Sequence, residues 1–169
     1  MFRKPQPPKY ILFIGENNPT IDYIAKVVQK SVEEPDEKVP TYTFTVEEPD
    51  FYHDLHPGLL KKTDGAIFLI NSTKMDNLSI MKEYLWEHFV WNENARDIPV
   101  LIASYHAEKA IALTTSEIIE AFSLIRLTDR LWNVMEIREN KEEDILACFK
   151  WLDSYIDVLG VKEKITREK

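Results

Sequence analysis

A doubly wound α/β domain, with a mostly parallel central sheet and helices on both faces, is the fold class the sequence predicts, and three features predict it. Four short, continuously apolar runs read as buried strands, because parallel strands covered on both faces lose the alternation of a half-exposed sheet. Amphipathic stretches with helix-start signals lie between them. The length of 169 residues suits one domain, in which roughly 70% of the unfolded surface can be buried.

Residues 10–14 form the first apolar run and are expected to be the central strand. Asn18 and Pro19 make an N-cap and first-turn pair opening a helix with Ile21, Ile24, Val27 and Val28 on one face. The polar stretch 33–38 breaks that helix. Residues 42–46 alternate and read as a sheet edge. Residues 47–62, rich in Pro, His and Asp, read as a loop without an assigned element. Residues 66–70 are the next buried strand. A helix over 77–91 follows, with Leu78, Met81, Leu85 and Phe89 inward, which turns Trp86 towards the rim. Residues 100–103 and 132–137 are the remaining strands. Thr114 and Glu117 form a capping box ahead of Ile118, Ile119 and Phe122. A second box is expected at 140–143, starting a last helix that buries Ile145, Phe149, Leu152 and Ile156 and stops at Gly160. The organisation expected is an extension at 1–9, one domain at 10–160 and a polar tail at 161–169.

Charge and composition exclude several function classes. A net charge of −8 repels phosphate backbones, so nucleic acid is not an expected partner. The single cysteine, Cys148, cannot form an internal disulfide and reads as a buried, inert thiol. No apolar run approaches the ~18 residues of a membrane-spanning helix. Phe2 stands where myristoylation needs glycine, and neither a signal-peptide core nor a prenylation box is present. A cytoplasmic protein without a direct membrane anchor is expected.

Residues 63–72, 96–103, 115–119 and 132–134, with the Trp151–Leu152 pair and the upstream Val39, Pro40 and Thr41, resemble a small GTPase of the ADP-ribosylation-factor (Arf-like) family in order and spacing. The resemblance implies a small-GTPase-like (P-loop NTPase-like) three-layer fold. It also implies where a nucleotide would sit, and there this chain departs from the pattern. The P-loop keeps its first glycine, Gly15. Thr20 replaces the second glycine, Ile21 the phosphate-binding lysine and Asp22 the hydroxyl that holds Mg²⁺. No Asp-x-x-Gly-Gln precedes Thr63, and the span between the switches is short enough to cut back the hairpin there. The guanine-reading loop aligns with Ser104, Tyr105, His106 and Ala107, so its aspartate becomes Ala107, and the last base contact falls at Arg138 and Glu139. Thr41 stands at the switch threonine without its partner hydroxyl.

Other constellations have plainer explanations. Asp50, His53, Asp54 and His56 have metal-ligand chemistry, but an His-x-x-His in a polar loop reads as solvated side chains, and no metal is expected. Glu139, Glu142, Glu143 and Asp144 sit where acids complement a helix dipole rather than as a catalytic pair. Asn71 and Arg138 occupy the places where a phosphoacceptor domain needs an acid and a lysine. Phe51, Tyr52 and Leu55, with Leu59 and Leu60, are more apolar than a free loop needs and, with Trp86, are the protein-binding candidates. The expectation is therefore a catalytically inactive pseudo-GTPase: not an enzyme, without cofactor, acting as an interaction or scaffold subunit for one or more proteins. The alternative is a divergent small GTP-binding switch.

Overall fold

The computed structural model describes residues 8–15, 19–32, 42–74, 76 and 78–167. The expected N-cap at Asn18, the polar stretch 33–38 and the switch-like Val39, Pro40 and Thr41 lie outside the described residues.

Five strands form one parallel sheet: β1 (Lys9–Ile14), β2 (Tyr42–Glu47), β3 (Gly65–Asn71), β4 (Val100–Tyr105) and β5 (Trp132–Ile137). The order is β2-β1-β3-β4-β5. The alternating segment is the edge strand expected. The middle strand is β3, not β1, which corrects the expected placement: β1 pairs on one side with the edge strand and on the other with β3.

Alternation within each strand feeds two cores. Leu12, Ile14, Phe68, Ile70, Val100 and Ile102 face one way, under α2 (Pro57–Lys62), α3 (Leu78–Tyr84) and α4 (Thr115–Ala121). Ile11, Phe13, Ile67, Leu69, Leu101 and Ala103 face the other, under α1 (Pro19–Val32) and α5 (Glu142–Arg167). On α1 the inward face is Ile21, Ile24, Val27 and Val28, each buried and each worth ~1.5–3 kcal/mol in transfer. Asp153 of α5 accepts from Lys9 at 3.2 Å and from the Tyr42 hydroxyl, tying the last helix to the β1–β2 edge. Cys148 is buried in this second core, and burial pushes its thiol pKa up to about 12, which makes it inert.

Several elements differ from expectation. The segment 47–62 contains α2, capped by His56, whose Nδ1 accepts from the Gly58 amide at 3.0 Å, with Pro57 in the first turn. The helix over 77–91 changes character: after α3, residues Leu85–Val90 wind as a π-helix. The capping box at Thr114 and Glu117 forms as expected. The one expected at Asn140 does not. Asn140 takes a left-handed φ of 58°, α5 opens at Glu142, and Asp144 instead accepts from the Arg138 amide at 2.9 Å. Gly160 does not end α5, which continues to Arg167.

Candidate functional site

In an open parallel sheet, ligands gather at the carboxyl ends of the strands. Here that end is formed by the segment after β1, the loop after β4 (His106 onwards) and the loop after β5 (Arg138 to Lys141). β1 and β4 run into this end fully buried, and β5 ends on the buried Ile137, so each fixes the start of its loop.

At the β1 end, Gly15 donates its amide to the Glu47 carbonyl at 3.1 Å, so that N–H is spent on the sheet edge. A Cβ at Gly15 would stand 3.1 Å from both Leu69 Cβ and Leu69 O. Close strand packing alone therefore accounts for the glycine. Thr20 is half-buried and Asp22 exposed. Ile21, at the lysine position, is 3% exposed and points into the core beneath α1. A triphosphate with Mg²⁺ does not fit these residues: no cation stands at 21 and no hydroxyl at 22.

At the β4 end, Ser104 is fully buried and its Oγ has no hydrogen-bond partner among the described residues. Tyr105 is buried and Ala107 half-buried. Ser72 holds this turn: its amide and hydroxyl both donate to the Tyr105 carbonyl, at 3.1 and 2.7 Å. His106 has a left-handed φ of 61° and turns the chain towards the β5 loop. There the Glu139 amide donates to Glu108 Oε2 at 3.1 Å. The backbone amide of Glu108 itself, and after it that bond, hold the Glu108 carboxyl below its usual range. His106, Glu108 and Glu139 bring ligand-capable atoms within 4.8 Å of one another, the one such group among the described residues, with both glutamates exposed. Arg138 makes a bidentate pair with Asp144, Nε to Oδ2 and Nη2 to Oδ1, each 2.9 Å. Between the ends lies a cavity of about 210 Å³ lined by Thr20, Tyr23, Tyr105, His106, Arg138 and Glu139, among others.

The protein-binding candidates separate. Tyr52 is 94% exposed, while Leu55 is 5% exposed and belongs to the core, so it offers nothing to a partner's surface. Phe51 packs edge-on against Tyr84 and His88. Trp86 is half-buried and donates its Nε1 hydrogen to the Phe122 carbonyl at 2.8 Å. His53 pairs with Asp50 at 2.8 Å and His56 caps α2, so those histidines have structural roles. The sequence did not single out His88, which the fold brings to Tyr84 and Asp54. His88 is buried, stacks on Tyr84 at 4.7 Å, and lies 3.4 Å from Asp54 Oδ1 without a directed hydrogen bond. Burial, reinforced by Glu47, Asp50 and Asp54, pushes the Tyr84 hydroxyl pKa up to about 12.

Sheet order, layers and loop positions define a three-layer α/β domain of the small-GTPase kind. The model of the ADP-ribosylation factor family matches residues 53–156, more than half of the chain, and the chain belongs to that family. It is similar to ADP-ribosylation factor-like protein 1 of Saccharomyces cerevisiae, 29% identical over 57% of this chain and 51% of that protein. It is also similar to ADP-ribosylation factor K of Dictyostelium discoideum, 23% identical over 53% and 47%. The chain thus spans about half the length of the curated relatives it matches. This membership overturns one expectation: the chain was read as not an enzyme, and the family it belongs to is one of GTPases. The residues that led to that expectation stand as described above. No helix among the described residues is long and apolar enough to cross a membrane.

Proposed function

We propose that this Arf-family chain is a cytoplasmic subunit that works through contacts with one or more other proteins and holds guanine nucleotide weakly. The observation that carries this reading is Ile21, sunk into the core where the family's lysine would reach the phosphates. Losing one charge-assisted contact costs about 1.5–3 kcal/mol, and here the lysine, the metal hydroxyl and the base-reading acid are all replaced. What the chain presents instead is surface. Tyr52, 94% exposed beside the partly covered Phe51, is the centre of the proposed contact on the former switch segment. Nucleic acid and a direct membrane anchor have no part in this reading.

The test is twofold. Calorimetry with GTP and GDP is expected to find nothing tighter than about 100 μM, or roughly −5.5 kcal/mol. Hydrogen exchange over 48–54 is expected to be fast in the free protein and slower in its complex. Tyr52→Asp abolishes the complex with little change in melting temperature. Guanine nucleotide released from the boiled protein, or a low-micromolar isotherm, overturns the reading.

A second reading, a divergent nucleotide switch, is favoured by the cavity of about 210 Å³ that persists between Thr20, Tyr105 and Arg138. The same calorimetry decides between the two.

A further inference from the structure

The start of α2 and the turn after the π-helix enclose an open groove of about 560 Å³, which shares no lining residue with the cavity between Thr20, Tyr105 and Arg138. Its walls carry three carboxylates, Asp54, Glu87 and Glu93, and neither lysine nor arginine lines it. All three acids are exposed, and among the described residues the side chains of Glu87 and Glu93 have no hydrogen-bond or ion-pair partner. Trp91 lines the same groove and is 68% exposed, an unusual placement for an indole that could have been folded under. Pro57 adds an exposed apolar edge.

The wall that carries Trp91 and Glu93 is stiff. Asn92 caps the single 3₁₀ turn Glu93–Ala95 by accepting from the Asn94 amide at 3.0 Å, and its own side chain donates to the His88 carbonyl. From beneath, the buried guanidinium of Arg130 donates to the Val90 and Ala95 carbonyls, each at 2.9 Å. On the facing wall His56 and Pro57 fix the start of α2. A groove held on both sides loses little freedom when something binds in it.

We propose that this groove is a docking site for a short lysine- or arginine-bearing segment of a partner protein. The cationic head sits over the Trp91 ring and between the carboxylates, where cation–π and charge attraction act together. The methylene stem lies along Pro57. The proposal rests on the reading that the chain acts through protein contacts, and it names a second surface, apart from Tyr52.

The test is an amide NMR titration of the full chain at physiological salt with a capped Gly-Arg-Arg-Gly peptide. Shifts are expected to centre on 54–57 and 87–94. Replacing both glutamates (Glu87→Gln with Glu93→Gln) should weaken binding at least tenfold, and Trp91→Ala about fivefold. Glu142→Gln with Glu143→Gln removes the same charge at the start of α5 and should change binding less than twofold. All these side chains are exposed, and a dispersed spectrum establishes that each variant is folded. The proposal is overturned if shifts spread evenly over the molecule or if the α5 variant weakens binding as much as the groove variant. It is also overturned if spermidine binds as well as the peptide, or if the peptide does not bind. Any of these leaves the nucleotide and Tyr52 experiments untouched, so failure here is distinguishable from failure of the broader reading.

Discussion

The two ends of the region that resembles the family's nucleotide site depart from its pattern in different ways. After β1, the change has gone inward: Ile21, which the resemblance aligns with the phosphate-binding lysine, is part of the α1 core. After β4 and β5, it has stayed at the surface: Ala107 is half-buried, and His106, Arg138 and Glu139 border an open cavity. A residue absorbed by a core is held there by every neighbour it packs against. A residue on a loop is held by a few local hydrogen bonds. The first end should therefore resist reversion to the family's residues, and the second should accept it.

Ile21→Lys tests the first half most severely. It puts an ammonium where the side chain is 3% exposed and removes an isoleucine from the second core. The expected loss is about 3 kcal/mol, read by urea unfolding. A loss below about 1 kcal/mol together with new GTP affinity would mean that the two ends are equally reversible.

Gly15→Ala should cost less. The new Cβ would press on Leu69 Cβ and on the Leu69 carbonyl, a backbone atom of the middle strand that cannot step aside. Overpacking of this kind costs about 1–2 kcal/mol, again by urea unfolding. No change would show that β1 and β3 can move apart at this end.

Much of this fold was legible because burial leaves a plain mark on sequence. Residues 66–70 of β3 and 100–103 of β4 are continuously apolar since both faces are covered, and β2 alternates since it is an edge. Strand order was not legible: the apolar run of β1 looks the same beside an edge strand as in mid-sheet. The six-residue α2 is too short for a periodic signal, although Pro57 after a capping His56 was a readable start. The π-helix slips the frame over Leu85–Val90, which a strict 3.6 period cannot show. The helix α5 passes through Gly160 because a glycine costs only about 1 kcal/mol in a helix of 26 residues. At the site, the burial of Ile21 was legible from its place on the same face as Ile24 and Val28. The Gly15–Glu47 bond and the meeting of His106 with Glu108 and Glu139 join distant segments, and no local pattern records them.

Arg138→Ala probes the surface end through pH, with an effect smaller than either core change. Hydrogen bonds from Arg138, side chain first and then backbone, hold the Asp144 carboxyl below its ordinary value. A carboxylate whose folded pKa is depressed contributes stability that is present above the unfolded value of ~3.9 and is lost as pH falls through the folded value. The wild type should thus exceed the variant by a constant margin at neutral pH. That margin should shrink below about pH 4 and vanish once Asp144 is protonated. A margin independent of pH would show that the pair does not hold the start of α5.

The smallest effect is expected at Ala107. Ala107→Asp restores the acid that reads guanine in the family, on a half-buried turn between His106 and Glu108. Nothing packs there as it does around Ile21, so stability should change by no more than about 0.5 kcal/mol. The added charge joins Glu108 and Glu139 near the cavity mouth, which favours no anion and leaves the phosphate end as it was. GTP affinity should therefore stay weaker than about 100 μM. Urea unfolding and calorimetry on this one variant ask both questions. A large loss of stability would mean that the β4 loop is as firmly packed as α1. Micromolar GTP binding would mean that the missing acid alone kept the site from nucleotide, and that the inward change at Ile21 matters little to affinity. If stability and affinity both stay put, the two ends differ as their burial says: one is built over, and the other is merely changed.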